Sequence, residues 1–143
     1  MGAEIALKRG QLDEFRKMLT SFLAGIPYTM CRKESEPESE RYFHYIFYLL
    51  LRLMSIYTVL VEKEQSEGRV DCIVETPQYV YIFEFKLDDT AAEALQQIEE
   101  KGYARPYEAD SRAMVKVGVS FSSKTGTIEE WETRKWTTWN DLN

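Results

Sequence analysis

At 143 residues, with 44% hydrophobic side chains and 29% charged side chains of mixed sign, the chain has the size and composition of one folded domain, which excludes a disordered segment. Its 24 acidic against 18 basic side chains leave a formal charge of −6, which excludes a general basic surface for a phosphate backbone, so any nucleic-acid contact has to be local. Cys31 and Cys72 lack metal-ligand spacing and follow no secretory signal, which fits free thiols in a cytoplasmic protein, and the apolar run Tyr45 to Met54 is too short for the ~20 residues of a membrane span.

Met1-Gly2-Ala3 runs directly into a helical pattern, as an excised piece of a longer chain does. From Glu4 to Ala24, Ile5, Leu12, Phe15, Leu19, Phe22 and Leu23 recur at helical spacing, which predicts one helix stopped by Gly25-Ile26-Pro27. Arg32 to Glu40 is charged and without apolar period, a linker leading to a helix cap. Glu40 to about Ser55 is apolar nearly all round, which predicts a helix buried on several sides.

Three strand-like runs follow, Tyr57 to Lys63, Val70 to Glu75 and Tyr79 to Leu87, the last two joined by the turn Thr76-Pro77-Gln78. Thr90 opens a helix with an apolar stripe of Ala91, Ala94, Leu95 and Ile98, with Asp88 and Asp89 at its positive dipole end and Gly102 and Pro106 at its close. Met114 to Phe121 and Ile128 to Trp136, separated by Lys124-Thr125-Gly126, are the last two strands. The expected fold is α/β: a central mixed sheet whose first three strands are antiparallel neighbours, with the Thr90 helix crossing over on one face and the Glu40 helix on the other.

Glu84 and Lys86 are two residues apart on a strand, so a carboxylate and an ammonium share one face. Hairpin pairing about the Thr76-Pro77-Gln78 turn brings Asp71 beside them. Two carboxylates so placed favour a hard dication, which lowers the pKa of a bound water and neutralises charge on a phosphate, while Lys86 steadies the attack. Taken alone, Glu-x-Lys reads as an ordinary half-solvated strand face with cross-strand ion pairs.

Gly68-Arg69-Val70-Asp71, then a strand, a turn, and Tyr-Ile-Phe-Glu-Phe-Lys ending at Lys86 together resemble the PD-(D/E)xK nuclease superfamily, with Val70 in place of the signature proline. From about Glu40 to Trp131 the chain looks like the nuclease-like domain at the C-terminus of bacterial proteins whose N-terminal part resembles an AAA-type ATPase. The matching residues are Glu40 to His44, Gly68 to Asp71, Glu84 to Leu87, Ala94 to Ile98 and Lys101 to Ala104.

The resemblance implies a restriction-endonuclease-like core over 40–139 behind an N-terminal helical extension over 1–31. It implies Mg2+ or Mn2+ as cofactor, held by Asp71 and Glu84, with Lys86 assisting attack, Gln97 orienting near the site and Glu40 adding an outer carboxylate. It further implies DNA as substrate and an ATPase-like domain of the same parent chain as partner.

Several residues admit two readings. His44 lies one turn after Glu40 and reads as a phosphate or water contact or as a hydrogen-bonded core histidine. Gln97 has polar neighbours and is equally a solvated helix residue. Lys101, Tyr103 and Tyr107 read as a grip on nucleic acid or as packing against the sheet edge. Trp131, Trp136 and Trp139 read as an interface patch, compatible with a homodimer, or as a satellite core. Three functional classes follow: a metal-dependent DNA nuclease, a catalytically silent nuclease-fold module serving an ATPase-like part, and a non-catalytic nucleic-acid binder, the last disfavoured by the net charge.

Overall fold

The computed structural model describes residues 2–25, 58–64, 69–122 and 124–136, and of 2–4, 58–64, 69–71 and 136 the backbone alone. The β-branched and aromatic runs form five strands, β1 (Thr58–Glu64), β2 (Arg69–Glu75), β3 (Tyr79–Leu87), β4 (Ala113–Phe121) and β5 (Ile128–Trp136), in one sheet of order β1-β2-β3-β4-β5. Pairing is antiparallel except between β3 and β4, which run parallel, so the sheet is mixed. The β2–β3 hairpin is closed at Thr76, whose N–H and hydroxyl donate to the Tyr79 carbonyl while its Oγ1 accepts from the Tyr79 N–H.

Successive side chains of a strand face opposite ways, and β3 uses this to serve two cores. Tyr79, Tyr81, Phe83 and Phe85 form a ladder of rings with centroids 5.5 to 5.9 Å apart. They join a core with Leu7, Phe15, Leu19 and Leu23 from two helices, α1 (Gly2–Lys8) and α2 (Leu12–Ala24). Val80 and Ile82, of the other parity, pack with Ile73, Met114 and the Leu95 and Ile98 side chains of α3 (Ala91–Lys101). The fold is therefore α/β, a mixed sheet with helices on both faces.

One expectation changes. The single helix expected over Glu4 to Ala24 is two, because Gly10 takes a left-handed φ of +72° that breaks the helical ladder. The Tyr79 ring lies 2.4 Å from where a Cβ of residue 10 would stand, so the break lets aromatic surface approach the backbone. The face expected to take the Glu40 helix carries α1 and α2 among the described residues, with the Tyr81 hydroxyl donating to the Leu7 carbonyl at 2.6 Å. The Glu40 helix itself lies outside the described residues.

Near the C-terminus, Trp131 packs as core: its ring is 6.5 Å from that of Phe15, and the Arg16 guanidinium sits 5.6 Å from its centroid. Trp139 lies outside the described residues, and of Trp136 only the backbone pairing with Met114 is described. Among the described residues no helix is long and apolar enough to cross a membrane.

Candidate active site

The apolar character of the α3-facing side of β3 ends after Ile82, and the next two positions of that parity are Glu84 and Lys86. Glu84 is completely buried and Lys86 nearly so, at 9% exposure. Burying a carboxylate without compensation costs several kcal/mol, roughly, so what surrounds Glu84 decides what it is for.

Backbone register gives the first neighbours. Asp71 of β2 is the direct antiparallel partner of Glu84, and Gly118 of β4 is its parallel partner on the other side. Gly118 is a glycine for a steric reason: a Cβ there would stand 2.4 Å from the Ala91 carbonyl oxygen and 3.1 Å from Ala94 and Leu95 atoms. The missing side chain, with the small Ala91 and Ala94 opposite, lets α3 close onto the sheet beside Glu84.

That approach sets the second neighbour. Lys101, in the last turn of α3, brings its Nζ to 3.9 Å from Glu84 Oε1, an ion pair longer than a hydrogen bond. Its side chain is 19% exposed, and its Nζ also lies 5.6 Å from the Tyr103 ring centroid. Gly102, left-handed at φ +68°, ends the helix immediately after it. Gln97, partly buried, precedes Lys101 by one turn and shares its side of the helix.

Lys86 is held elsewhere. Its Nζ donates to Asp89 Oδ2 at 3.1 Å, and Asp89 Oδ1 accepts from the Thr90 N–H at 2.9 Å. Thr90 in turn caps α3, its hydroxyl accepting from the Glu93 N–H, while Glu130 of β5 accepts from the Ala91 N–H at 2.9 Å. The Ser120 hydroxyl donates to the Asp89 carbonyl. The lysine is thus bolted to the start of the crossover helix.

Burial pushes the Asp89 carboxyl up, but hydrogen bonds from Glu93, Lys86 and the Thr90 N–H outweigh it and hold Asp89 below its ordinary value. Hydrogen bonding to Asp89, and the charge of Asp89, hold Glu93 above its own. A depressed carboxyl means that the unfolded chain takes up the proton first, so the stability from Asp89 is present above the ordinary aspartate range and disappears as pH falls through the folded value. Asp89→Asn is accordingly expected to cost about 1 kcal/mol at neutral pH, as for a part-exposed pair, a cost that disappears as pH falls through the folded value. Thermal melts of both proteins across that range measure the difference.

The expected site residues therefore fall into three groups. Glu84 and Lys86 share one face as read, and Asp71 is in register with Glu84, while the Asp71 side chain, Glu40 and His44 lie outside what is described. Among the described residues no three His, Cys, Asp or Glu side chains form a metal-binding set. Lys101 is paired with Glu84 and lies beside the Tyr103 ring, and Tyr107 follows the packing reading, donating to Glu75 Oε2 at 2.9 Å beside the Glu75–Arg112–Asp110 ion-pair network.

Sequence reasoning missed Asp89 and Gly118 as parts of the site. The i, i+3 spacing from Lys86 was the signal for Asp89; nothing local marks Gly118.

Residues 38–131, which include every candidate position from Glu40 to Lys101, match the family model described as the PD-(D/E)XK nuclease superfamily. Over 113 residues, 78% of this chain, the sequence is 34% identical to a protein of Azotobacter chroococcum mcd 1 described as an uncharacterized protein in the vnfD 5' region. The chain spans 22% of that relative's length. No solved structure matches.

Proposed function

Because the chain belongs to the PD-(D/E)XK nuclease superfamily, we propose that it hydrolyses DNA phosphodiester bonds with Mg2+ or Mn2+ at a site built on Asp71, Glu84 and Lys86. The observation that carries the reading is a completely buried glutamate in direct register with an aspartate on the next strand. Buried charge of this kind is characteristic of functional sites.

Two carboxylates are hard oxygen donors and suit a dication that keeps several waters, so Asp71 and Glu84 are the residues that would hold it. When bound, the metal supplies Lewis-acid stabilisation of the phosphate and a more acidic water. Lys86, locked by Asp89 on the same face as Glu84, presents a fixed positive charge to the developing charge on phosphorus. Gln97 orients groups from the helix side, and Glu40 adds an outer carboxylate.

Plasmid and single-stranded DNA incubated with Mg2+ or Mn2+ test the reading: wild type is expected to cut and Asp71→Ala to lose cleavage by about a hundredfold or more. Equal rates in both proteins would sink it.

A second reading has one observation in its favour. Glu84 is met by Lys101 and Lys86 by Asp89, so the charges are answered within the chain, as in a silent module that serves an attached ATPase-like part. Metal-dependent cutting by the wild-type chain separates the two.

A further inference from the structure

β5 is an edge of the sheet, and among the described residues no strand pairs with its outer side. Glu132, Thr133, Arg134 and Lys135 are exposed along it. Such an edge carries a row of outward N–H and C=O groups, the template on which a further strand pairs. Charge is the usual protection, because a second copy sets like charge against like. On β5 the charges are sorted instead: Glu129, Glu130 and Glu132 precede Thr133, and Arg134 and Lys135 follow it.

A strand that pairs with its own copy about a two-fold does so antiparallel, and outward backbone groups meet only when the pairing is centred on a residue. Centred on Glu130, Glu132, Arg134 or Lys135, the pairing opposes a charge to itself, and centred on Trp131 it opposes Glu130 to Glu132, all destabilising. Centred on Thr133, it opposes Glu132 to Arg134 twice, Trp131 to Lys135 twice, and Thr133 to Thr133. Opposite charges, a cation on an indole and facing threonines are favourable cross-strand partners.

Two observations favour that centre. The β4–β5 register shifts between Ser120 and Phe121 and skips Glu129, so the regular part of β5 is 130–136, whose midpoint is Thr133. The same register places Glu132 and Arg134 opposite Gly118 and Lys116, and Trp131, Thr133 and Lys135 opposite Val119, Val117 and Val115, so each pair shares one face of the sheet. On the second face, Asp13 and Glu14 of α2 line one groove with Trp131, Thr133 and Lys135, so an incoming lysine meets acidic charge as well as the indole. Arg134 lies 3.8 Å from Glu99 of α3, but at 62% exposure that pair adds little.

We propose that β5 is a self-association edge: a second copy of this chain pairs antiparallel with it about Thr133, joining two five-stranded sheets into one. The test is sedimentation of the 143-residue chain in reducing buffer, beside Glu132→Arg, Arg134→Glu and the variant carrying both. Protein concentrations run from about 1 μM to about 1 mM, the span in which weak to moderate association is read. Wild type is expected to dimerise reversibly. Each single variant sets two like-charge pairs across the axis and is expected to weaken the dimer by about tenfold or more. The double variant exchanges the two charges, restores both opposite pairs, and is expected to return to within about threefold of wild type. Circular dichroism confirms that each variant is folded.

A wild type that stays monomeric at every concentration overturns the inference. So does a dimer that either single variant leaves unchanged, since its contact is then elsewhere. A dimer that the single variants weaken and the double variant fails to restore excludes pairing about Thr133 and overturns it as well. None of these results bears on the metal-dependent reading.

Discussion

Glu84→Gln is expected to lower metal-dependent DNA cleavage by roughly three orders of magnitude, the several kcal/mol that a Lewis-acid metal contributes, while leaving the fold and its melting temperature intact. The amide keeps the shape of the carboxylate in a position that is completely buried, so no cavity opens. It removes a buried charge, whose desolvation opposes folding, and loses the attraction to Lys101, whose ammonium stays partly exposed and beside the Tyr103 ring. These two changes nearly cancel. Cleavage rates read beside thermal melts separate the alternatives: activity lost with stability kept marks a functional carboxylate, whereas both lost together marks Glu84 as part of the scaffold.

Gly118→Ala is expected to be the most damaging small substitution near the site. The added methyl meets the Ala91 carbonyl oxygen at 2.4 Å, and that atom is backbone, which has no rotamer to escape into. Overpacking of this kind costs about 1–3 kcal/mol, enough to lower the melting temperature by about 5 °C in a chain of this size. Relief requires α3 to lift from β4, and α3 carries Lys101 and Gln97. Metal affinity is therefore expected to change with stability, unlike in Glu84→Gln. A Gly118→Ala protein with an unchanged melting temperature would show that the helix does not depend on this close approach.

The sheet was largely legible because its signals are local. Alternation of the aromatic residues Tyr79 to Phe85 with Val80, Ile82 and Glu84 marks β3, and the short turn after Glu75 fixes the hairpin register that sets Asp71 opposite Glu84. The stripe Ala91, Ala94, Leu95 and Ile98 between Thr90 and Gly102 likewise marks α3 within a residue of its ends. The break at Gly10 was not legible, since the apolar period continues across it and the close neighbour that requires a glycine there, the Tyr79 ring on β3, is distant in sequence. The pairing of charges was illegible for the same reason. Asp89, Lys86, Glu84 and Lys101 are all visible as charges, but which ammonium meets which carboxylate depends on how closely the crossover helix approaches the sheet, and that is decided by the absent side chain of Gly118.

The proposed chemistry also explains how an acidic chain serves an anionic substrate. A net charge of −6 provides no broad attraction for a phosphate backbone, so positive charge has to be supplied at the site itself, by Lys86 and by the dication. The account stands or falls on whether Asp71 and Glu84 act together as ligands. Calorimetric titration of the wild-type chain with Mn2+, beside Asp71→Ala and Glu84→Ala, measures this directly. The account predicts saturable binding in wild type that each single substitution removes; identical heats from all three proteins would contradict it.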